Sequence, residues 1–221
     1  LTNSVSYHNG FAKLIVTGTN SVLKKSALTA AELPNSSIST TTSLGIGGCG
    51  FQGWDNAGLL YYKSASSGYG PGGKGEAVIE NGGLVTLNGY IGVYTNSTLR
   101  IDGGRTQSWR IGMETNAVFN AVLRAGDANG TALMTASDEV RLWGATLAVE
   151  LGKDFKPVSG DVYTLISAGT LNATLNRFSS GGSILPDGGL LQAGGTRFRI
   201  RYAGNSIKLT VRQSGTLMEV L

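Results

Sequence analysis

GEAVIENGGLVTLNGYIGVYTNSTLRIDGG, residues 75–104, decides the fold. Ala77, Ile79 and Leu84 are set among polar or small residues; Val85 and Leu87 follow, then Ile91 and Val93, then Leu99 and Ile101. Between these runs stand Asn81-Gly82-Gly83, Asn88-Gly89, Thr95-Asn96-Ser97 and Asp102-Gly103-Gly104. Period-two alternation over short runs, bounded by residues that tolerate positive φ, reads as strand and turn repeated. The runs are too short and too glycine-broken for helices. Turns every 8–12 residues or so fit either a sandwich or a solenoid. The reading taken is the solenoid: an all-β chain wound as a single-stranded right-handed parallel β-helix.

The rest of the chain has the composition for it. Glycine, at 34 of 221 residues, is about twice its ordinary share, and charged residues are only 14% against roughly a quarter in an average soluble domain. Apolar content is ordinary at 41%, so a packed core is within reach and wholesale disorder is not expected. Low charge with abundant Gly, Ser, Thr and Asn is the balance of extracellular β-proteins. Cys49 is the only cysteine, so no intrachain disulfide forms; it is either buried as a small apolar residue or pairs between chains. No stretch is apolar enough to span a bilayer, and Leu1 does not open a signal peptide. The expectation is a surface or extracellular protein numbered from its mature N-terminus.

Short strands are predicted along the whole length, among them 11–16, 59–63, 109–112, 132–135, 140–143, 146–151 and 161–167. Residues 26–33 offer one or two helical turns. No linker divides the chain. Solenoid coils with an extended N-terminal arm are expected over 1–152, and a terminal coil with a closing hairpin over 153–221 of the same continuous domain.

The end differs in kind. TRFRIRY (196–202) and IKLTVR (207–212) alternate cleanly around Ala203-Gly204-Asn205-Ser206, which predicts an antiparallel hairpin. Phe198, Ile200, Tyr202, Ile207, Leu209 and Val211 share one face; Arg197, Arg199, Arg201, Lys208 and Arg212 share the other. Six apolar side chains cannot hold a hairpin alone, so it must close over other apolar surface, such as the open end of a solenoid. The net charge of +4 gathers here. From residue 151 onward eight cations (Lys153, Lys156, Arg177 and the five above) meet four acids (Asp154, Asp161, Asp187, Glu219).

These motifs resemble bacterial β-helical surface proteins. LIVTGTNS (14–21) and GEAVIENGGLVTLNGYIG (75–92) resemble autotransporter-passenger strand repeats, and ATLAVELGKDFKPVSGDVYTLIS (145–167) is similar to the C-terminal closing section of such chains. The resemblance implies a right-handed parallel β-helix on a bacterial surface. It departs from the pattern in having few, irregular repeats and no section that reads as a membrane barrel.

Residues with chemistry are sparse. GYGPGGKG (68–75) nearly spells a phosphate loop, but Gly75 stands where a hydroxyl should bind magnesium and Pro71 removes a donor, so it reads as a surface loop. His8 is the only histidine: a Ser-His-Asp triad would require it and nothing around it suggests a base held by an acid, while the count excludes a His/Cys metal cluster. The acids mostly sit in or beside turns, and no spacing points to a facing pair. Trp54, Trp109, Trp143, Tyr61, Tyr62, Tyr69, Tyr90 and Tyr94 could form a sugar-stacking face, but such residues more often close a core or fill an interface.

Three functions follow. The first is a structural subunit: coil ends expose unpaired backbone groups, and copies stack head to tail into a filament, sheath or layer. The arm (Leu1, Val5) or the apolar tail (Leu217, Met218, Val220, Leu221) would add a strand to the next copy. The second is an adhesin, with the basic stripe docking an anionic polysaccharide or cell-surface glycan. The third is a polysaccharide-active enzyme. No catalytic residue, cofactor or metal is assigned; no membrane span is expected, and no nucleic acid, because no aromatic residue interleaves with the cations on their own side of the hairpin.

Overall fold

The computed structural model describes residues 12–19, 22–25, 42–46, 49–50, 59–63, 70–71, 75–87, 89–172 and 176–212. The proposed arm and tail, His8 and the helical turns at 26–33 lie outside them. The first strands are β1 (Ala12–Thr17), β2 (Val22–Lys25), β3 (Thr42–Ile46), β4 (Cys49–Gly50), β5 (Leu59–Lys63) and β6 (Gly70–Pro71). The central ones are β7 (Gly75–Glu80), β8 (Leu84–Leu87), β9 (Tyr90–Val93), β10 (Thr98–Asp102), β11 (Arg105–Ser108), β12 (Arg110–Met113) and β13 (Val118–Leu123). The last are β14 (Met134–Leu151), β15 (Val162–Leu171), β16 (Arg177–Ser180), β17 (Ser183–Ile184), β18 (Leu190–Ala193), β19 (Thr196–Ala203) and β20 (Ser206–Arg212). Eighteen of them join one large sheet, mostly parallel and not closed; β4 and β6 pair separately. No α-helix is present among the described residues.

Parallel ladders build the sheet, not the antiparallel pairing a face-packed sandwich needs. Three sets of strands stack side by side. In the first, β1, β7, β10, β13 and the end of β14 align so that Leu14, Ala77, Leu99, Phe119 and Leu147 form one column and Val16, Ile79, Ile101, Ala121 and Val149 the next. In the second, Leu23, Val85, Thr106, Met134 and Ile166 align along β2, β8, β11, β14 and β15. In the third, Leu44, Ile91, Ile111 and Val140 align along β3, β9, β12 and β14. Apart from β11, which offers Thr106, the strands repeat an apolar residue at the position the neighbour needs, so stacking buries what one strand cannot bury alone. The buried side chains form one cluster from Val16 to Val211.

The corners are local chemistry repeated in space. Asn81, Asn96 and Asn116 take the left-handed φ that asparagine tolerates. The Asn96 N–H donates to Asn116 O at 3.2 Å, and Gly82 N–H to Gly103 O at 2.8 Å, so corners stack on corners. Outside the first strand set, the Arg100 guanidinium binds Glu150 at 2.8 Å and Asp102 at 3.3 Å, while Asn120 Nδ2 donates to Glu150 at 2.8 Å. These contacts hold the Glu150 carboxyl below its usual range.

Two expectations are corrected. Leu84 does not share the core face with Ala77 and Ile79; it sits half-buried, because the Asn81-Gly82-Gly83 corner resets the alternation and hands the buried position to Val85. The three short strands expected over 132–151 are one 18-residue strand. Its segments pair in turn with β11, β12 and β13, so it runs through two corners without losing its partners.

The C-terminal end is antiparallel. β15 pairs with β14 on one side and with β20 on the other, and β20, β19 and β18 continue as a meander. All six inward residues of the hairpin are buried. Phe198 packs edge-on against Tyr163 at 6.2 Å, and Tyr163 against Phe155 at 6.3 Å. The hairpin therefore closes over apolar surface, as its composition requires.

Candidate docking faces

The basic face is set by the hairpin's turn. Gly204 and Asn205 have φ of 55° and 58°, the paired left-handed conformation of a two-residue hairpin turn. That turn fixes the register: Arg197 faces Arg212, Arg201 faces Lys208, and Arg199 faces Thr210. Like charges directly opposite each other cost stability. One carboxylate relieves the Arg201–Lys208 pair: Asp187 accepts from the Tyr202 N–H at 2.9 Å and from Arg201 Nη1 at 2.8 Å, and these bonds hold its carboxyl below the usual range. Arg199 is half-buried, and its Nε finds no hydrogen-bond partner among the described residues. Behind the stripe the Phe178 N–H donates to the Tyr202 hydroxyl at 3.1 Å, and burial pushes that hydroxyl's pKa up to about 12. All five predicted cations therefore share one outward face.

A second face lies outside the third strand set. Alternation there puts Tyr90, Arg110 and Glu139 in one column, Gly92, Gly112 and Arg141 in the next, and Tyr94, Glu114 and Trp143 at the following corner. Gly45 of β3 extends the glycine column by one strand. The Tyr90 ring lies over it: a Cβ at Gly112 would stand 2.5 Å from Tyr90 Cζ, and one at Gly92 2.9 Å from Tyr90 Cε1. Trp109 sits at the near corner with the Arg110 guanidinium 4.0 Å from its ring centre. Trp109 is 40% exposed and Trp143 48%, so neither closes the core. The charges on this face are matched, Arg110 with Asp138 at 2.7 Å and Arg141 with Glu139 at 2.9 Å. Glu114 accepts from the Thr95 N–H at 3.2 Å and its hydroxyl at 3.1 Å.

The sequence carried a signal for this face. YIGVY at 90–94 and RIGME at 110–114 repeat one pattern, outward residue, apolar, glycine, apolar, outward residue, at the spacing of one stacked strand. The near-phosphate loop ends where Gly75 enters β7, so a strand follows it and not the helix a phosphate site needs. Among the described residues no group of three or more His, Cys, Asp or Glu side chains is placed to hold a metal. No described helix is long and apolar enough to cross a membrane. The side chains of Cys49, Trp54, Tyr61, Tyr62 and Tyr69 lie outside the described set.

The chain matches no protein-family model, no curated protein and no solved structure.

Proposed function

We propose that the chain is a single-stranded right-handed parallel β-helix of the bacterial surface-protein kind, exported after signal-peptide removal, and that it serves as a structural subunit of an extracellular filament, sheath or layer. Copies join head to tail through edge strands. The observation that carries the reading is where apolar side chains meet water. Of the six large apolar residues that stand exposed among the described residues, three lie on strands that have a single pairing partner there: Ile15 on β1 at 49%, Ile184 on β17 at 56% and Leu190 on β18 at 59%. β1 heads the ladder and β17 and β18 end it. Unpaired strand edges with exposed apolar residues are templates for another chain. Because β20 already covers β15, the joining contact at the far end runs through β17 and β18. A head-to-tail contact between unlike ends does not close, which gives fibres.

Sedimentation and negative-stain microscopy over a concentration series test this. Rods or fibres that lengthen with concentration, and that Ile184→Lys with Leu190→Lys abolishes, are expected. A strict monomer at the highest soluble concentration overturns the reading.

One observation favours a second reading, an adhesin holding an anionic polysaccharide on the basic hairpin: its opposed cations meet one described carboxylate, a cost that a bound polyanion would relieve. Retention on heparin or alginate, lost in Arg199→Glu with Arg201→Glu and lost with added salt, would select it.

A further inference from the structure

We propose that the outer face of β9, β12 and the middle of β14 binds an uncharged polysaccharide chain, stacked on Trp109, Tyr90 and Trp143. The site does not depend on copies joining end to end, and it is separate from the basic hairpin.

Three features point the same way. The first is the aromatic exposure. An aromatic ring gains from burial, and Trp109 and Trp143 keep 40% and 48% of their surface exposed on one strand set, Trp109 with Arg110 over one side of its ring, which leaves surface for a partner. The second is shape. The glycine column removes side chains from the middle of β9 and β12, with Arg141 standing in it on β14, and Tyr90 lies over Gly92 and Gly112. The result is a shallow floor with Trp109 at one margin and Trp143 at the other. Residues 109 and 114 lie five positions apart along the strand direction, about 17 Å at 3.3–3.4 Å per residue, and Trp143 stacks one strand beyond 114. That span suits several linked sugars better than one. A sugar ring offers a face of weakly positive C–H groups, which complements the negative face of an aromatic ring.

The third feature is charge. Arg110 and Arg141 are already held by Asp138 and Glu139. A polyanion would have to displace those carboxylates, and binding nucleic acid depends on cations free to meet phosphates. Hydroxyl groups need no such exchange: guanidinium N–H groups donate to them and carboxylate oxygens accept from them. The face is therefore matched to a neutral, hydroxyl-rich chain, where the hairpin is matched to an anion.

Affinity electrophoresis of the intact chain tests the proposal, in gels containing hydroxyethylcellulose, laminarin or galactomannan, with alginate as the anionic comparison. At least one neutral polysaccharide should retard the protein, with tryptophan fluorescence changing on binding and with little effect of 0.5 M salt, a concentration that shortens electrostatic reach to roughly 4–5 Å. Trp109→Ala with Trp143→Ala should weaken retardation tenfold or more without lowering the melting temperature. Trp109→Phe with Trp143→Phe should recover part of it. The proposal is overturned if none of the three neutral chains retards the protein, if the double alanine variant binds as well as the parent, or if binding is confined to alginate and vanishes with salt.

Discussion

Replacing Gly104 by alanine should loosen the stack from within. Gly104 does not occupy the left-handed region, so an alanine there faces no backbone penalty of its own. What it meets is the neighbouring strand. An added Cβ would stand 2.6 Å from Ile79 Cγ2, 2.7 Å from Ile79 O and 2.8 Å from Ile79 C. Ile79 is fully buried, and its backbone belongs to the ladder that joins β7 to β10. The methyl cannot be accommodated by turning one side chain; the strands must separate locally. Forcing a methyl into a packed site costs about 1–3 kcal/mol, and the backbone contacts place this change in the upper part of that range. The unfolded chain loses freedom when glycine becomes alanine, which offsets about 0.4–1 kcal/mol. A net loss of about 2 kcal/mol lowers the melting temperature by roughly 4–8 °C in a domain of this size. Thermal and urea unfolding followed by far-ultraviolet circular dichroism reads it directly. Gly126→Ala is the comparison, since nothing lies within 4 Å of its added Cβ; it should melt within about 2 °C of the parent. If Gly104→Ala melts at or above the parent temperature, the strands are not stacked at the distance described.

Phe119→Ala should cost about 3–5 kcal/mol, because the ring is fully buried and stacks on Phe178 with centroids 5.9 Å apart; urea midpoints at constant slope measure it. Thr106→Val should raise stability by about 1 kcal/mol, since Thr106 Oγ1 is buried in an apolar column with no hydrogen-bond partner among the described residues; an unchanged or lower midpoint would mean the hydroxyl is satisfied. Alkali should unfold the protein through its buried tyrosines. Burial raises the hydroxyls of Tyr163 and Tyr202 above the ordinary value near 10, Tyr202 to about 12. A group with a raised folded pKa contributes stability that is present in full below about pH 10 and is lost as pH climbs through the folded value. Stability should therefore hold to about pH 10 and fall toward pH 12, and Tyr202→Phe should blunt that fall while costing about 1–3 kcal/mol at neutral pH by orphaning the Phe178 N–H.

Some of this architecture could be read from local sequence and some could not, for physical reasons. The alternation and turns at 75–104 were legible because asparagine and glycine mark left-handed corners by their own conformational preferences. The closing hairpin was legible for the same reason: Gly204 and Asn205 determine the turn, and parity then assigns every side chain to its face. Leu84 was misread because parity does not survive a corner, and the sequence does not say where a corner resets it. The continuity of 134–151 was hidden because strand length depends on partners far away in the chain. Ser137-Asp138-Glu139 looks like a break, yet Asp138 N–H donates to Trp109 O at 2.9 Å and keeps the run in the ladder. The aromatic face was legible only in part, as a list of candidate rings without their arrangement. Tyr90, Trp109 and Trp143 come together only through the stacking of three strands, so the sequence offered a sugar-stacking face but weighted the same rings toward a core or an interface. The basic stripe shows the opposite case, since its five cations lie on two adjacent strands and short-range alternation places them.

A cross-link tests the parallel register most directly. Thr98 of β10 aligns with Val118 of β13, and Asn120 lies two positions further along. Aligned neighbours in a sheet stand about 4.8 Å apart, within the Cα separation a disulfide bridges, whereas the 98–120 pair is about 8 Å apart and beyond it. In a Cys49→Ala background, Thr98→Cys with Val118→Cys should oxidise readily to an intramolecular disulfide and Thr98→Cys with Asn120→Cys should not. Equal oxidation of the two pairs, or preference for the second, would contradict the stacked parallel ladder.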